Sequence, residues 1–483
     1  MTKMTKSTVT TLLLAAFASV FAKAQSTKEL TYTIRTGLTN SSGSHAPLWL
    51  SANKQGLSSI SKDNGYLLAG LFLPMDSAKS FSYAFGLELA TAYNFTSSFI
   101  VQQAYADFNY RRITLSIGSK ERQPEFVNPT LSSGGLTLSG NARPIPQVWV
   151  GLADYLPVPH THEWLAIRGH IAYGRFTDDN WQKDFATPRA KRTREVLYHS
   201  KAFYFKVGNR QKFPVVFEGG IQMETQFGGK QYVDGIKTNL PSKLKNYFKV
   251  IVPSAGGKES PVSDQENIEG NIVGSWHASL SYYTGDWKLR AYYEHYFEDH
   301  SMLAFSYPWV DGLYAFELTF PKNPVVSQFV YEFMGSCDQT SPKSGRPITS
   351  SFDNYYNHGI YSGWQHWGMG LGNPLLTSPI YNTDGQIQFQ NNRVLVNHFG
   401  ITGNPTSELS YRMMLSLTRN WGTYEQPYEK MKTQTYTLAE LTYAPAKLNG
   451  WSFTASYATD HGSVIGNNNG GMFVIRKSGL LSK

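Results

Sequence analysis

The stretch Tyr83-Ala84-Phe85-Gly86-Leu87-Glu88-Leu89-Ala90-Thr91-Ala92-Tyr93 alternates strictly. Its odd positions carry Tyr, Phe, Leu, Leu, Thr and Tyr; its even positions carry Ala, Gly, Glu, Ala and Ala. Successive side chains of a β-strand point to opposite faces, so this segment has one apolar face and one small or polar face. Its length matches the roughly 9–11 residues that a tilted strand needs to cross a bilayer. Tyrosines stand at both ends, where membrane interfaces favour amphipathic rings.

The pattern recurs along the chain. Leu165, Ile167, Ile171 and Tyr173 oppose Ala166, Arg168, His170 and Ala172. Val215, Phe217, Ile221, Met223 and Phe227 oppose Glu218, Gln222, Glu224 and Gln226. Trp287, Leu289, Ala291 and Tyr293 oppose Lys288, Arg290, Tyr292 and Glu294. Tyr411 to Leu417 and Trp451 to Tyr457 repeat it, the last with some drift. A β-sandwich and a transmembrane barrel both alternate in this way. Segment length, the aromatic ends (Tyr110, Tyr282, Tyr283, Trp287 and Trp451) and a polar face that mixes both charges with Gly and Ala favour the barrel. The fold class expected is all-β: a transmembrane antiparallel barrel of about 16–18 strands with long outer loops, its lumen open or plugged. The polar stretches Ser41–Asn64, Asn128–Gln147, Asn239–Gly270 and Gln339–Thr383 are the loop candidates.

Charged residues make up only 16% of the 483, against about 25% in soluble domains. No segment after the N-terminus approaches the length of an apolar membrane-spanning helix. Polytopic helical membrane proteins and wholesale disorder are thereby excluded. Lys3 and Lys6, the apolar run Leu12–Phe21 and Ala22-Lys23-Ala24 read as a cleaved secretory signal over 1–24. The expected organisation is then an N-terminal segment over 25–80 and the barrel over 81–483. Cys337 is the single cysteine, so an exported chain is held without an internal disulfide. No basic block of nucleic-acid type is present; Arg189–Arg194 has four basic residues in six and reads as a solvated loop.

No nucleotide, metal or hydrolase motif stands in a supporting context, and no cofactor and no metal are expected. His160-Thr161-His162-Glu163 could ligate a metal, but a lone motif of this kind in a turn reads as solvent-exposed polar sequence. The polar-face acids Glu88, Glu218, Glu224 and Glu294, set against Arg168, Arg290 and Arg412, read as structural charge networks rather than as a catalytic pair. Two loop segments are dense in special residues. The first, Ser139 to Gln147, offers Asn141, Arg143 and Gln147 between Pro144 and Pro146. The second offers Tyr355, Tyr356, Asn357 and His358, then Trp364, Gln365, His366 and Trp367. Rings that meet sugar C–H groups, amides and imidazoles that meet hydroxyls, and a guanidinium fork that meets a sugar acid make these eleven residues candidate carbohydrate contacts. A loop packed into the barrel accounts for the same residues equally well.

These two segments, with Tyr307-Pro308-Trp309-Val310-Asp311-Gly312 and Asn391-Asn392-Arg393, resemble the capsule assembly Wzi family in its form from Bacteroides-like bacteria. The resemblance covers essentially the whole chain after the leader. It implies an outer-membrane barrel of about 18 strands in a Gram-negative bacterium. It also implies a lectin-like, non-enzymatic role in anchoring or assembling capsular polysaccharide at the cell surface. The partners expected are capsular or other surface polysaccharide and outer-membrane lipid, with the protein a monomer and no nucleic acid involved. The alternatives are a diffusion porin for small solutes and an outer-membrane hydrolase or acyltransferase using Ser139 with His358 or His366.

Overall fold

The computed structural model describes residues 30–76, 78–251, 270–298, 311–320, 323–339 and 353–481. The expected leader over 1–24 and residues 307–310 lie outside them. Eighteen strands form one sheet: β1 Thr31–Ser42, β2 Asn64–Leu73, β3 Phe81–Tyr93, β4 Phe99–Tyr110, β5 Ile113–Ser119, β6 Gln147–Leu152 (continued by Leu156–Pro157), β7 Leu165–Arg175, β8 Leu197–Val207, β9 Val215–Phe227, β10 Asn271–Thr284, β11 Trp287–Glu298, β12 Gly312–Thr319, β13 Gln328–Gly335, β14 Val394–Gly403, β15 Leu409–Gly422, β16 Pro427–Tyr443, β17 Trp451–Gly462 and β18 Asn468–Leu480. Each strand pairs antiparallel with its sequence neighbours. The sheet closes where β1 pairs with β18, from Thr31 opposite Leu480 to Ser42 opposite Asn469. Closure leaves no edge strand and satisfies the backbone within the wall, as a membrane-spanning sheet requires.

The alternation sorts as the sequence suggests. Leu38, Leu67, Phe99, Val101, Phe108, Phe203, Leu280 and Leu417 are exposed on the outside of the wall, and Tyr93, Tyr110, Tyr282, Trp287 and Trp451 are exposed near strand ends. Glu88, Glu224, Glu294, Tyr292 and His398 are buried on the lumen side. The N-terminal segment expected to precede the barrel supplies two of its strands, so the wall begins at Thr31 rather than at 81. In β1 the polar face carries Thr33, Arg35, Gly37 and Thr39, while Thr36 breaks the apolar face. Threonine on both faces blurs the period.

One rim has tight turns such as Arg111-Arg112 and Gly285-Asp286; the other carries the long connections. Three of these fold into the lumen: 43–63 with the short helix α1 Leu48–Ser51, 120–146, and 353–393. Together they contribute Trp49, Leu136, Tyr356, Trp364, Leu371 and Phe389 to a single buried core shared with wall residues. The wall holds this plug through carboxylates that accept loop backbone N–H groups. Glu294 accepts from Leu136 N at 2.8 Å and Thr137 N at 3.0 Å. Glu332 accepts from Ser133 N at 2.8 Å and Ser133 Oγ at 2.6 Å. Glu298 accepts from Tyr356 N at 2.6 Å, and Asp460 from Leu48 N at 3.1 Å. At Gly372 a Cβ would lie 2.1 Å from the Tyr356 hydroxyl and 2.2 Å from the Leu136 carbonyl, so two plug segments cross at a distance only glycine allows.

A barrel filled in this way conducts no steady ionic current in a planar bilayer. Replacing Glu294 and Glu332 together by Ala strands the plug donors, at about 1–3 kcal/mol for each lost acceptor. Intermittent openings are expected from that variant. A steady open channel in the wild-type protein would refute the plug.

Candidate carbohydrate-binding face

The eleven candidate residues fall into two environments. Tyr355, Tyr356, Trp364, Gln365, His366 and Asn141 are buried within the plug. The Trp364 side chain is 0% exposed, and its Nε1–H donates to Thr137 O at 2.7 Å. Asn141 Nδ2 donates to Gly370 O at 3.0 Å, and Gln365 Nε2 to Asp178 at 3.0 Å. Tyr356 Oη donates to Leu136 O and accepts from Asn373 N at 3.0 Å. His366 lies between Arg143 O, 2.9 Å from Nδ1, and Thr177 N, 3.2 Å from Nε2. Burial lowers its pKa, and the neutral tautomer assigned from this network donates at Nδ1 and accepts at Nε2. These side chains join the plug segments to one another; their polar atoms are largely engaged inside the protein.

Asn357, His358 and Trp367 are partly exposed beside them, and Gln147 is partly exposed at the start of β6. Trp367 sits three residues after Trp364 with a positive φ of 57°, which turns it out of the core. Its ring lies 4.4 Å from the Arg143 guanidinium, and its Nε1 is 3.3 Å from Thr177 Oγ1. Arg143 is itself buried, 8% exposed, which pulls its pKa down to about 10, and it donates to Thr96 Oγ1 at 2.8 Å. Arg143, Trp367, Thr96, Met369 and Ile380 thus border a small cleft. Asn357 exchanges hydrogen bonds with the Phe389 backbone at 2.8 Å each. His358 accepts from Ile360 N at 3.1 Å; burial, then the neighbouring Lys191 ammonium, push its pKa down to about 3.

The structure adds residues that the sequence reading passed over. Arg192–Arg194, inside the Arg189–Arg194 basic run, is a strand paired with Lys230–Val233, which pairs in turn with Ile236–Asn239. This small sheet stands at the long-loop rim beside the 353–363 segment. Lys191 Nζ donates to His358 O, and Gln231 Nε2 donates to Ile360 O at 3.0 Å. The Arg192 guanidinium stacks 4.2 Å above the Tyr232 ring. Helix α2, Asp179–Phe185, stands under the same rim, with Trp181 packed against Gly368. Four basic residues in six was the available signal; the pairing that makes a platform of them is long-range and invisible in a local window.

The candidate nucleophile and bases do not meet. Ser139 Oγ donates to Gly372 O at 2.7 Å, whereas His366 and His358 bond the groups named above. His160, His162 and Glu163 lie in the tight-turn rim between β6 and β7, each with positive φ. Among the described residues no group of three His, Cys, Asp or Glu side chains is placed to hold a metal.

A sequence profile of the family described as capsule assembly protein Wzi matches residues 41–377. No curated protein sequence matches the chain. Among solved structures the chain is similar to Wzi of Escherichia coli, described as an outer membrane protein involved in group 1 capsule assembly and a carbohydrate-binding β-barrel. The two share 13% identity at a TM-score of 0.57, over 98% of this chain and 89% of that one. The chain also matches OpdH of Pseudomonas aeruginosa at 9% identity and a TM-score of 0.45, over 93% of this chain and 97% of that one. OprD of the same organism gives 9% identity and a TM-score of 0.45, over 94% and 96%. The profile spans well over half of the 483 residues, and the architecture is that of an 18-strand barrel of the outer membrane: the chain belongs to the Wzi capsule assembly family.

Proposed function

We propose that this protein holds capsular polysaccharide at the cell surface, without performing chemistry on it, through the face formed by its plug and outer loops. The observation that carries this reading is the filled lumen: the long-loop rim offers a closed, ring- and amide-bearing surface in place of a pore. Wzi of Escherichia coli, the similar solved barrel, is described as binding carbohydrate. On this reading Trp367 and Tyr232 present ring faces to sugar C–H groups, and Asn357, His358 and Gln231 meet hydroxyls. Arg192 pairs with acidic sugars, as a planar fork suits a carboxylate, and the buried Arg143 supports the Trp367 ring from beneath. Tyr355, Tyr356, Trp364, Gln365, His366 and Asn141 shape that face from beneath, and Gln147 lines the cavity below Arg143. The separation of Ser139 from both imidazoles supports a binding rather than a hydrolytic role.

The test is the distribution of capsular polysaccharide between cells and medium in a strain lacking the gene. Polymer made at normal levels but shed into the medium is expected; capsule that stays fully cell-bound would sink the proposal. Complementation separates the two groups of residues. Trp367→Ala combined with Arg192→Ala should assemble a normal barrel yet shed capsule. Trp364→Ala removes a fully buried side chain, so it should destabilise the plug by about 3–5 kcal/mol and raise loop proteolysis. Full retention by the Trp367→Ala/Arg192→Ala variant would remove this face from the site.

A further inference from the structure

Part of the connection from β9 to β10, residues 244–251, lies outside the lumen. Its helix α3, Leu244–Ile251, lies on the outside of the wall over β7, β8 and β9. That part of the wall is unusual for a lipid-facing surface. Lys201 points outward, in register with outward-facing Ile171 and Met223, and Tyr173 and His199 stand above it on the same face. The helix satisfies Lys201 and Tyr173, while His199 Nδ1 bonds Ala172 O at 2.9 Å within the wall. Lys201 Nζ donates to the carbonyls of Val250 at 2.8 Å and Ile251 at 2.6 Å, at the negative end of the helix. Tyr173 Oη donates to Tyr247 O at 2.6 Å, and the Tyr247 ring packs edge-on to Phe227 at 5.1 Å. Asn246 and Val250 are buried against the barrel. The opposite face carries Leu244 and Phe248, one helical turn apart, which are 73% and 65% exposed.

The height of the apolar belt gives this arrangement a meaning. On β4 its exposed residues run from Phe99 to Tyr110, about 28 Å along the barrel axis at the usual rise and tilt. On β8 they run only from Phe203 to Val207, about 10 Å, and stop below Lys201. Helix α3 sits where the upper part of the belt is missing, and Leu244 with Phe248 continues the lipid-facing surface there. Lys243, Lys245 and Lys249 flank these two residues, which puts positive charge at the level of phosphate headgroups.

We propose that helix α3 is an interfacial membrane helix built onto the outside of the barrel, with Leu244 and Phe248 inserted among the acyl chains of the outer leaflet. Its partner is membrane lipid, and the proposal is independent of what the outer loops bind. Cys337 is the single cysteine, so a Cys337→Ser background accepts one spin label at a chosen site. Labels at Phe248→Cys and, separately, at Leu244→Cys are compared in vesicles of phosphatidylethanolamine and phosphatidylglycerol with a label at Ile236→Cys, a 70% exposed site on the outer sheet. The expected result is strong relaxation by oxygen with loss of relaxation by a water-soluble nickel chelate at 248 and 244, and the reverse at 236. Strong nickel relaxation at 248 and 244 places the helix in water and overturns the proposal. Weak relaxation by both reagents means that protein covers the face, and overturns it equally.

Discussion

The structure depends on buried wall carboxylates accepting hydrogen bonds from the backbone of the plug. A carboxylate removed from water is costly unless its lone pairs are met, and an irregular loop buried in a barrel has N–H groups with no ladder to join. Pairing the two answers both requirements. Glu294 takes two consecutive N–H groups, and Glu332 takes an N–H and a hydroxyl from Ser133. Tyrosines of the wall complete the sets: Tyr292 Oη donates to Glu332 at 2.6 Å and Tyr296 Oη to Glu298 at 2.5 Å. Because acceptors on rigid strands meet donors fixed in sequence, the loops dock in one register rather than collapsing generally. Apolar packing around Trp364, Tyr356 and Phe389 then joins the loop segments into one core.

This division between wall and plug explains how much could be read from the chain alone. Strands β3, β7, β9, β11, β15 and β17 are legible because lipid on one side and lumen on the other enforce period two. The charge networks are legible in kind. Arg290 meets Glu317 at 3.1 Å, Arg412 meets Glu440 at 2.9 Å and Arg168 meets Glu125 at 2.5 Å. Their partners are not, since they come from neighbouring strands or from a loop. β1 is obscured by threonine on both faces.

The candidate site was half legible for a different reason. A sugar platform and a buried loop core ask for the same side chains: flat rings with amides and imidazoles close by. Trp364 and Trp367 are three residues apart and look equivalent in sequence, yet one is sealed in the plug and the other is turned outward by a positive φ. The basic run at Arg189–Arg194 looked like a solvated loop because its β partner lies across a long connection. Binding faces assembled from several loops escape any local reading of this kind. Their individual residues do not; what is missing is the pairing between segments.

The same economy appears on both sides of the wall. Inside, strand carboxylates accept from loop amides; outside, the strand ammonium of Lys201 donates to helix carbonyls. In each case a polar side chain on a membrane strand is matched to backbone groups of a long connection. The account's central claim is that the face so assembled holds polysaccharide. Isothermal titration of the purified, detergent-solubilised protein with the strain's own capsular polysaccharide tests it directly. Saturable binding, competed by short fragments of that polymer, is the predicted result. No heat of binding by a folded barrel would contradict the account.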